Sequence, residues 1–409
     1  MKEKKIDLAQ LQKEIKQKKF KWRAGKTRFV ELPMATFRRY LGLRLPDEKT
    51  RLEYRTKSRL VPAPRALPVA IDWRDHQTQN WITDIRDQGQ CGSCVAFGTV
   101  AAMEAMWNIL QKNPSADLDL SEAHLFFCGG SCGCSFGWLI PPAVEYATQH
   151  GVSVEKCFPY QDHDMACNLC ADWMKQSYRI VKSKELVTAL ERKEWLAKYG
   201  PIIAAMDVYD DFMTYSGGVY QYVSGDLAGG HCISIVGYDD KQGCWICKNS
   251  WGTDWGEIGG LSTQRGWFRI AYGQCGIDAD HPSYGMSEMA QGGKNDAVDH
   301  GTAPCCISAV ATGTPFEKDL GLLRDFRDTH LAESETAKKY IDIYYRYTES
   351  FVEVLRSDPA AKKLAFSLLE TAISAIRSLG NASATSTFMA SSRDGPGRVC
   401  AVPGRAATN

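Results

Sequence analysis

One cysteine, one histidine and one asparagine could together make an acyl-transfer centre. Cys94 closes the segment Gln88-Gly89-Gln90-Cys91-Gly92-Ser93-Cys94, His231 follows Ala228-Gly229-Gly230, and Asn249 stands in Lys248-Asn249-Ser250-Trp251-Gly252. A thiol attacks carbonyls as its thiolate, and an ordinary cysteine is mostly protonated at neutral pH. Phe97, Val100, Met103, Trp107 and Leu110 recur at helical spacing just after Cys94. The pattern predicts a helix over 94–111 with Cys94 at its positive end, where the dipole favours the thiolate. The imidazolium of His231 would stabilise that thiolate as an ion pair. Asn249 would accept from the other ring nitrogen and fix the tautomer, the third role in a nucleophile–base–orienter set. Gln88 and the backbone N–H of Cys94 would donate to the developing oxyanion, each worth about 3 kcal/mol.

Taken singly, a buried cysteine is usually structural and a histidine after glycines is usually a loop residue. The joint pattern says more. With His231 137 residues beyond Cys94 and Asn249 155 beyond, near the separation of about 130–150 that accompanies a Cys-Gly-Ser-Cys signature, the chain resembles the papain-like (cathepsin-type) cysteine peptidases. Val95 departs from the tryptophan usual after the nucleophile, which alters packing and removes no catalytic group. The resemblance implies an α+β, two-lobed fold over 67–285. A helical left lobe would carry Cys94 on its central helix, with a further helix at 141–150. A β-barrel-like right lobe would be built from 202–206, 231–238, 244–248 and 266–271, which alternate or run apolar.

By the same resemblance, Gly137 pairs its backbone with substrate. Trp138, Ala205, Gly229 and Asp280 line the main pocket, for the side chain two residues before the scissile bond, and Trp251 joins the substrate-binding set. Asp280 stands five residues after Cys275. Cathepsin B has an acid at this offset, and a carboxylate there would attract arginine through a charge-assisted bond. A solvated surface aspartate is the other reading. The segment after Tyr160 is too short for cathepsin B's occluding loop, which favours endopeptidase over exopeptidase activity.

Composition is ordinary for a globular protein: 44% hydrophobic and 24% charged residues over 409 positions, with net charge +1. That balance argues against a nucleic-acid partner, and no run of about 18 apolar residues suggests a membrane span. The average hides an asymmetry. Residues 1–66 carry 20 Lys/Arg and 7 Asp/Glu, so the leader has a net of +13 and the remainder −12. A basic leader before an acidic body suggests an electrostatic clamp. Papain-like enzymes are made with an inhibitory propeptide in the cleft, and 1–66 resembles a short one, an intramolecular inhibitor. Leu8, Leu11 and Ile15 could form a helical face. Val61-Pro62-Ala63-Pro64-Arg65-Ala66 reads as an extended linker and maturation site. A partly disordered basic arm is the plainer alternative. Lysine-rich and without an apolar core, 1–20 is not read as a secretory signal, which makes the cytosol the default expectation.

Of the fifteen cysteines, Cys91 and Cys134 are paired by the resemblance, and Cys128 matches the family's next half-cystine, with Cys157 or Cys167 as partner. A zinc set from Cys132, Cys134, Cys167 and Cys170 is the rival; its spacing matches no common knuckle. Cys244 and Cys247 read as buried thiols in an extended run. Disulfides would suit an oxidising compartment, against the cytosolic default. No metal or cofactor is expected, and a monomer is.

After 285 the composition shifts. Residues 286–315 read as a linker. Within 316–380, Leu320, Leu323 and Phe326, then Tyr340, Tyr344, Tyr347, Phe351 and Val354, then Ala365, Leu368, Ala372, Ile376 and Leu379 form helical faces. The stretch from Cys305 to Tyr347 resembles the CFI-box helical module of assorted bacterial proteins, departing from it at Cys306. Residues 381–409 read as disordered. Two functions follow: a thiol endopeptidase made as a zymogen acting on polypeptides, or a non-proteolytic relative using the same fold as a peptide-binding scaffold or peptide acyl transferase.

Overall fold

The computed structural model describes residues 6–59, 66–130 and 133–292, together with the helical positions Ser367, Glu370, Ile373 and Ser374. The chain divides into two units, 1–303 and 304–409. Those four positions apart, the C-terminal helical faces, the CFI-box-like stretch and the tail lie outside the described residues, as do 61–65 of the maturation segment.

The leader is folded rather than an arm. Helix α1 (Leu8–Gln17) begins at Asp7, whose carboxylate accepts from the Gln10 N–H at 3.0 Å, and buries Leu11 and Ile15. Strand β1 (Trp22–Ala24) and helix α2 (Met34–Phe37) follow, then α3 (Glu48–Ser58), where Asp47 accepts from the Thr50 N–H at 2.7 Å. Between α2 and α3 an extended stretch runs along the body.

The body opens with β2 (Ala70–Asp72) and α4 (Cys94–Leu110). Helix α4 is apolar on nearly every side and is correspondingly buried, which makes it the central helix. Helix α5 (Ile140–Gln149) carries Pro141 and Pro142 in its first turn. Next come β3 (Val152–Ser153), β4 (Ser177–Leu186) and α6 (Ala189–Lys198), the last opened by a Thr188–Glu191 capping box. Strands β5 (Ile202–Tyr209), β6 (Tyr215–Tyr220), β7 (Leu227–Asp239), β8 (Cys244–Lys248), β9 (Trp267–Ala271) and β10 (Ser283–Gln291) complete it.

The strands hydrogen-bond in the order β1-β6-β9-β8-β7-β5-β10-β4-β3, with β2 beside β7. The sheet is therefore open, which corrects the barrel-like lobe expected from sequence. Its ends are short: β1 comes from the leader and covers β6, and β3 has only two residues. Strand β10 pairs with β4 as far as Gln291 opposite Tyr178, so ordered structure runs past the boundary expected at 285. Its outer half, Ser287 to Gln291, lacks the polar–apolar alternation of a strand, and composition alone read it as linker. No described helix is long and apolar enough to cross a membrane.

Two cores result. One surrounds α4, with Val95, Val100, Met103, Phe126, Ile140 and Ile203. The other is aromatic, built on Trp245, Trp251, Trp255, Trp267 and Phe212, and it takes in Leu11, Trp22, Phe29 and Phe37 from the leader. Disulfides join Cys91 to Cys134, Cys128 to Cys167 and Cys157 to Cys170. Cys167 is thus the partner of Cys128, and Cys157 is not. Cys134, Cys167 and Cys170 of the rival zinc set are all consumed in these bonds. Cys94, Cys232, Cys244 and Cys247 are buried free thiols, and Cys275 is half-buried.

Candidate active site

Cys94 is the first residue of α4. Ser93, at the N-cap, gives the helix no side-chain bond, because its hydroxyl is engaged with the Tyr160 hydroxyl at 2.7 Å. The positive helix end is therefore left to the cysteine. Cys94 Sγ accepts from the backbone N–H of Cys232 at 3.4 Å. Strand β7 thus meets the helix at the residue after His231. Strands β7 and β8 pair antiparallel, Ser234 opposite Lys248, and this register sets Asn249 beside His231. His231 Nε2 donates to Asn249 Oδ1 at 2.7 Å, and the same oxygen accepts from the Ser250 N–H at 2.8 Å. Two donors on one oxygen fix the amide's orientation and, through it, the ring. Trp251 lies over the His231 ring, 4.7 Å between centroids and 30° between planes, and shields the hydrogen bond from water.

Gln88 is buried and held from both sides: Oε1 accepts from the Ser250 hydroxyl at 2.7 Å, and Nε2 donates to the Cys91 carbonyl at 2.8 Å. One of its two amide hydrogens remains for another acceptor. The amide thus stands beside the Cys91–Cys94 turn.

The leader fills the groove over these residues. Gly42 N–H donates to Cys94 Sγ at 3.3 Å, and Gly42 C=O accepts from the Trp138 N–H at 2.7 Å. Leu43 N–H donates to the Gly230 carbonyl at 3.2 Å and Arg44 N–H to the Trp138 carbonyl at 3.0 Å. The backbone pairing in the filled groove is therefore made by Trp138 and Gly230. Gly137 is required for a different reason: its φ is +63°, and a Cβ there would lie 2.0 Å from the Gly42 carbonyl oxygen. A Cβ on Gly229 would touch Leu41, 3.3 Å away. Ala205 is buried on β5, on the same face as Asp207.

Burial sets the protonation states. It pushes the Cys94 thiol up to about 11, against the backbone N–H groups of Cys232, Gly42, Leu43 and Val95, which oppose the rise. It pulls His231 down to about 4, with Asn249 opposing. His231 Nδ1 has no hydrogen-bond partner. Both shifts disfavour the charged forms, and burial is the physical cause.

Three leader arginines grip three body aspartates. Arg28 meets Asp87 at 2.6 and 2.8 Å, Arg51 meets Asp207 at 2.8 Å through both nitrogens, and Arg55 meets Asp280 at 2.7 and 2.6 Å. Each is a two-pronged, charge-assisted pair. The charge asymmetry anticipated a clamp but named none of these pairs. Asp207 had a signal that went unused, a carboxylate inside the apolar run Ile202–Tyr209.

Residues 67–286 match the family described as papain family cysteine protease. A cathepsin L-like proteinase of Fasciola hepatica is 35% identical over 226 residues, 52% of this chain and 64% of its own length. Cathepsin B-like CP3 of Giardia intestinalis is 35% identical over 225 residues, 52% of this chain and 72% of its own. Among solved structures, proCathepsin B S9 from Trypanosoma congolense superposes with a TM-score of 0.55 at 24% identity, covering 70% of this chain and 98% of that one, a likeness of fold. Digestive procathepsin L2 proteinase from the Tenebrio molitor larval midgut gives 0.55 at 27%, covering 69% and 89%. The fold is papain-like with a propeptide, and the chain belongs to the papain family of cysteine proteases.

Proposed function

We propose that this protein is a cysteine endopeptidase made as a zymogen, with Cys94 as nucleophile, His231 as general base and acid, Asn249 as orienter and Gln88 as oxyanion donor. The reading is carried by one observation: the leader's Gly42 N–H sits on Cys94 Sγ, at the end of the groove where His231 and Asn249 are bonded. A group delivered there by an extended chain is where a scissile carbonyl would arrive. After the leader departs, water and charge re-enter and His231 takes the thiol proton. The thiolate adds to the carbonyl carbon, and the oxyanion accepts from the Cys94 N–H and the remaining Gln88 N–H. Collapse breaks the C–N bond, with His231 returning its proton to the leaving amine. Water, deprotonated by His231, then attacks the thioester; the acid leaves and the thiol is restored. Asp280 receives a basic substrate side chain in this reading, and the stretch from Cys305 to Tyr347 is a helical module resembling the CFI-box type.

The deciding experiment is labelling with an epoxide inhibitor such as E-64 after the leader has left. One label per chain is expected on wild type and none on Cys94→Ala; label that persists in the mutant refutes the assignment.

A pH dependence follows from His231. Beneath the leader its pKa is about 4, whereas a solvated imidazole titrates near 6.5. In a Cys94→Ala chain, where no thiol proton can pass to the imidazole, the leader-free form therefore binds more protons between those values, so acid in that window favours release. Asp207 has the same sign: burial would raise its pKa, but His281 and Arg51 hold it below its ordinary value. Tryptophan fluorescence of a Cys94→Ala chain should report leader departure from Trp251 as pH falls from 7 to 4.5. A flat trace across that range would contradict the account.

A further inference from the structure

Helix α3 carries Arg51 and Arg55 one turn apart, and each points at a carboxylate of the body that is itself buried. Asp207 is 4% exposed and Asp280 8%. Arg51 also reaches Asp280, at 3.6 Å. Among the described residues, the Asp280 carboxylate has only these two guanidinium partners. Asp207 has Arg51 and, from the body, His281 Nε2 at 3.0 Å. When α3 leaves, Asp280 loses both partners, and Asp207 keeps one bond on one oxygen. Their burial is under α3; once it leaves, the two anions face an open groove without their guanidinium partners, where cationic side chains of a substrate can take their place.

The site does not owe its shape to the leader. Asp207 is on β5, between β7 and β10 in the sheet. The segment bearing Asp280 and His281 is pinned from behind by Arg192 of α6, fully buried, whose guanidinium donates to the carbonyls of Ile277 and His281. The next turn of that loop is held by Asp278, which accepts from Trp245 Nε1 at 2.5 Å and the Gly273 N–H at 2.7 Å. The two carboxylates are therefore fixed in place, and guanidinium groups fit them two-pronged.

We propose that Asp207 and Asp280 together form a two-carboxylate site for the cationic side chains of a polypeptide substrate, selecting basic residues two positions apart. Residues four apart on a helix have Cβ atoms about 5–6 Å apart. An extended chain matches that distance with residues i and i+2, about 6.6 Å apart and on one face. The leader's helical pair thus stands in for an Arg-x-Arg substrate. The inference rests on the proteolytic reading above and adds Asp207 to it. Arginine is favoured over lysine because both carboxylates receive planar, two-pronged donors.

The test uses the full chain after its own activation and four fluorogenic peptides with Arg or Leu at the second and fourth positions before the scissile bond. In wild type the second arginine should raise kcat/KM at least tenfold over either single-arginine peptide. Asp207→Asn should abolish that increment, and Asp207→Glu should keep part of it. An increment under threefold in wild type, or one undiminished in Asp207→Asn, overturns the proposal. A second arm does not need proteolysis. In a Cys94→Ala, Arg51→Ala chain, about 10 mM ethylguanidinium chloride should raise Tm by about 2 °C over equimolar sodium chloride, and adding Asp207→Asn should erase the gain. An equal rise with sodium chloride or in Asp207→Asn also overturns it. If wild type cleaves none of the peptides, the proteolytic reading has failed, and the guanidinium arm alone decides whether the cation site exists.

Discussion

Serine in place of Cys94 is expected to lower kcat on peptide substrates by about 10⁴-fold or more, with the fold intact. The substitution changes one atom at a site whose every neighbour is set for sulfur. The uncapped end of α4 and an imidazole one residue from the Cys232 N–H can ionise a thiol. They cannot ionise an alcohol to any useful extent. The leader's grip should survive, since a serine oxygen can also accept from Gly42 N–H. Unchanged Tm together with lost turnover is the expected pair of readings. Residual kcat within a hundredfold of wild type would mean that another group attacks the carbonyl.

Valine at Gly42 is expected to raise the hydrolytic rate of the uncleaved chain about 100-fold. A Cβ at this position would lie 1.8 Å from the Gly92 carbonyl oxygen and 2.1 Å from its carbon. Both are backbone atoms of the turn that precedes Cys94, so neither can swing aside as a side chain would. Overpacking of this kind costs about 3 kcal/mol, which is about 100-fold in occupancy of the groove. The rest of the leader stays attached through Arg28, Arg51 and Arg55, so the chain should open locally rather than shed its leader. Initial rates on a short peptide, taken before any cleavage shows on a gel, make the measurement. A Leu43→Val control should stay close to wild type. A rate for Gly42→Val no higher than wild type's would show that the groove tolerates a side chain there.

Much of this was legible from residues. The gathering of Cys94, His231, Asn249 and Gln88 at one place follows residue type and local motif, and those are written in the chain. The central helix was legible because its apolar residues recur at helical spacing. The leader's helical face at Leu11 and Ile15 was legible for the same reason. What escaped depends on long-range pairing. One edge of the open sheet is Trp22–Ala24, three residues that carry no strand signal of their own and become a strand only against β6. The partner of Cys128 could not be chosen between Cys157 and Cys167, because the two lie ten residues apart in a stretch without periodicity. Net charge announced that leader and body attract, yet it is blind to which arginine meets which aspartate. The shifts of Cys94 and His231 toward their neutral forms escaped because residue type carries no information on burial.

Phe29 and Phe37 stack edge-on against Trp251, at 5.1 and 5.5 Å, in the same cluster that covers the His231 ring. Part of the aromatic core is thus supplied by the leader. In the zymogen reading, a form that has lost the leader would inherit its shape from a precursor it could not rebuild, and would persist by the height of its unfolding barrier. Each molecule would then have a working lifetime begun by its own maturation, a clock started once and not reset.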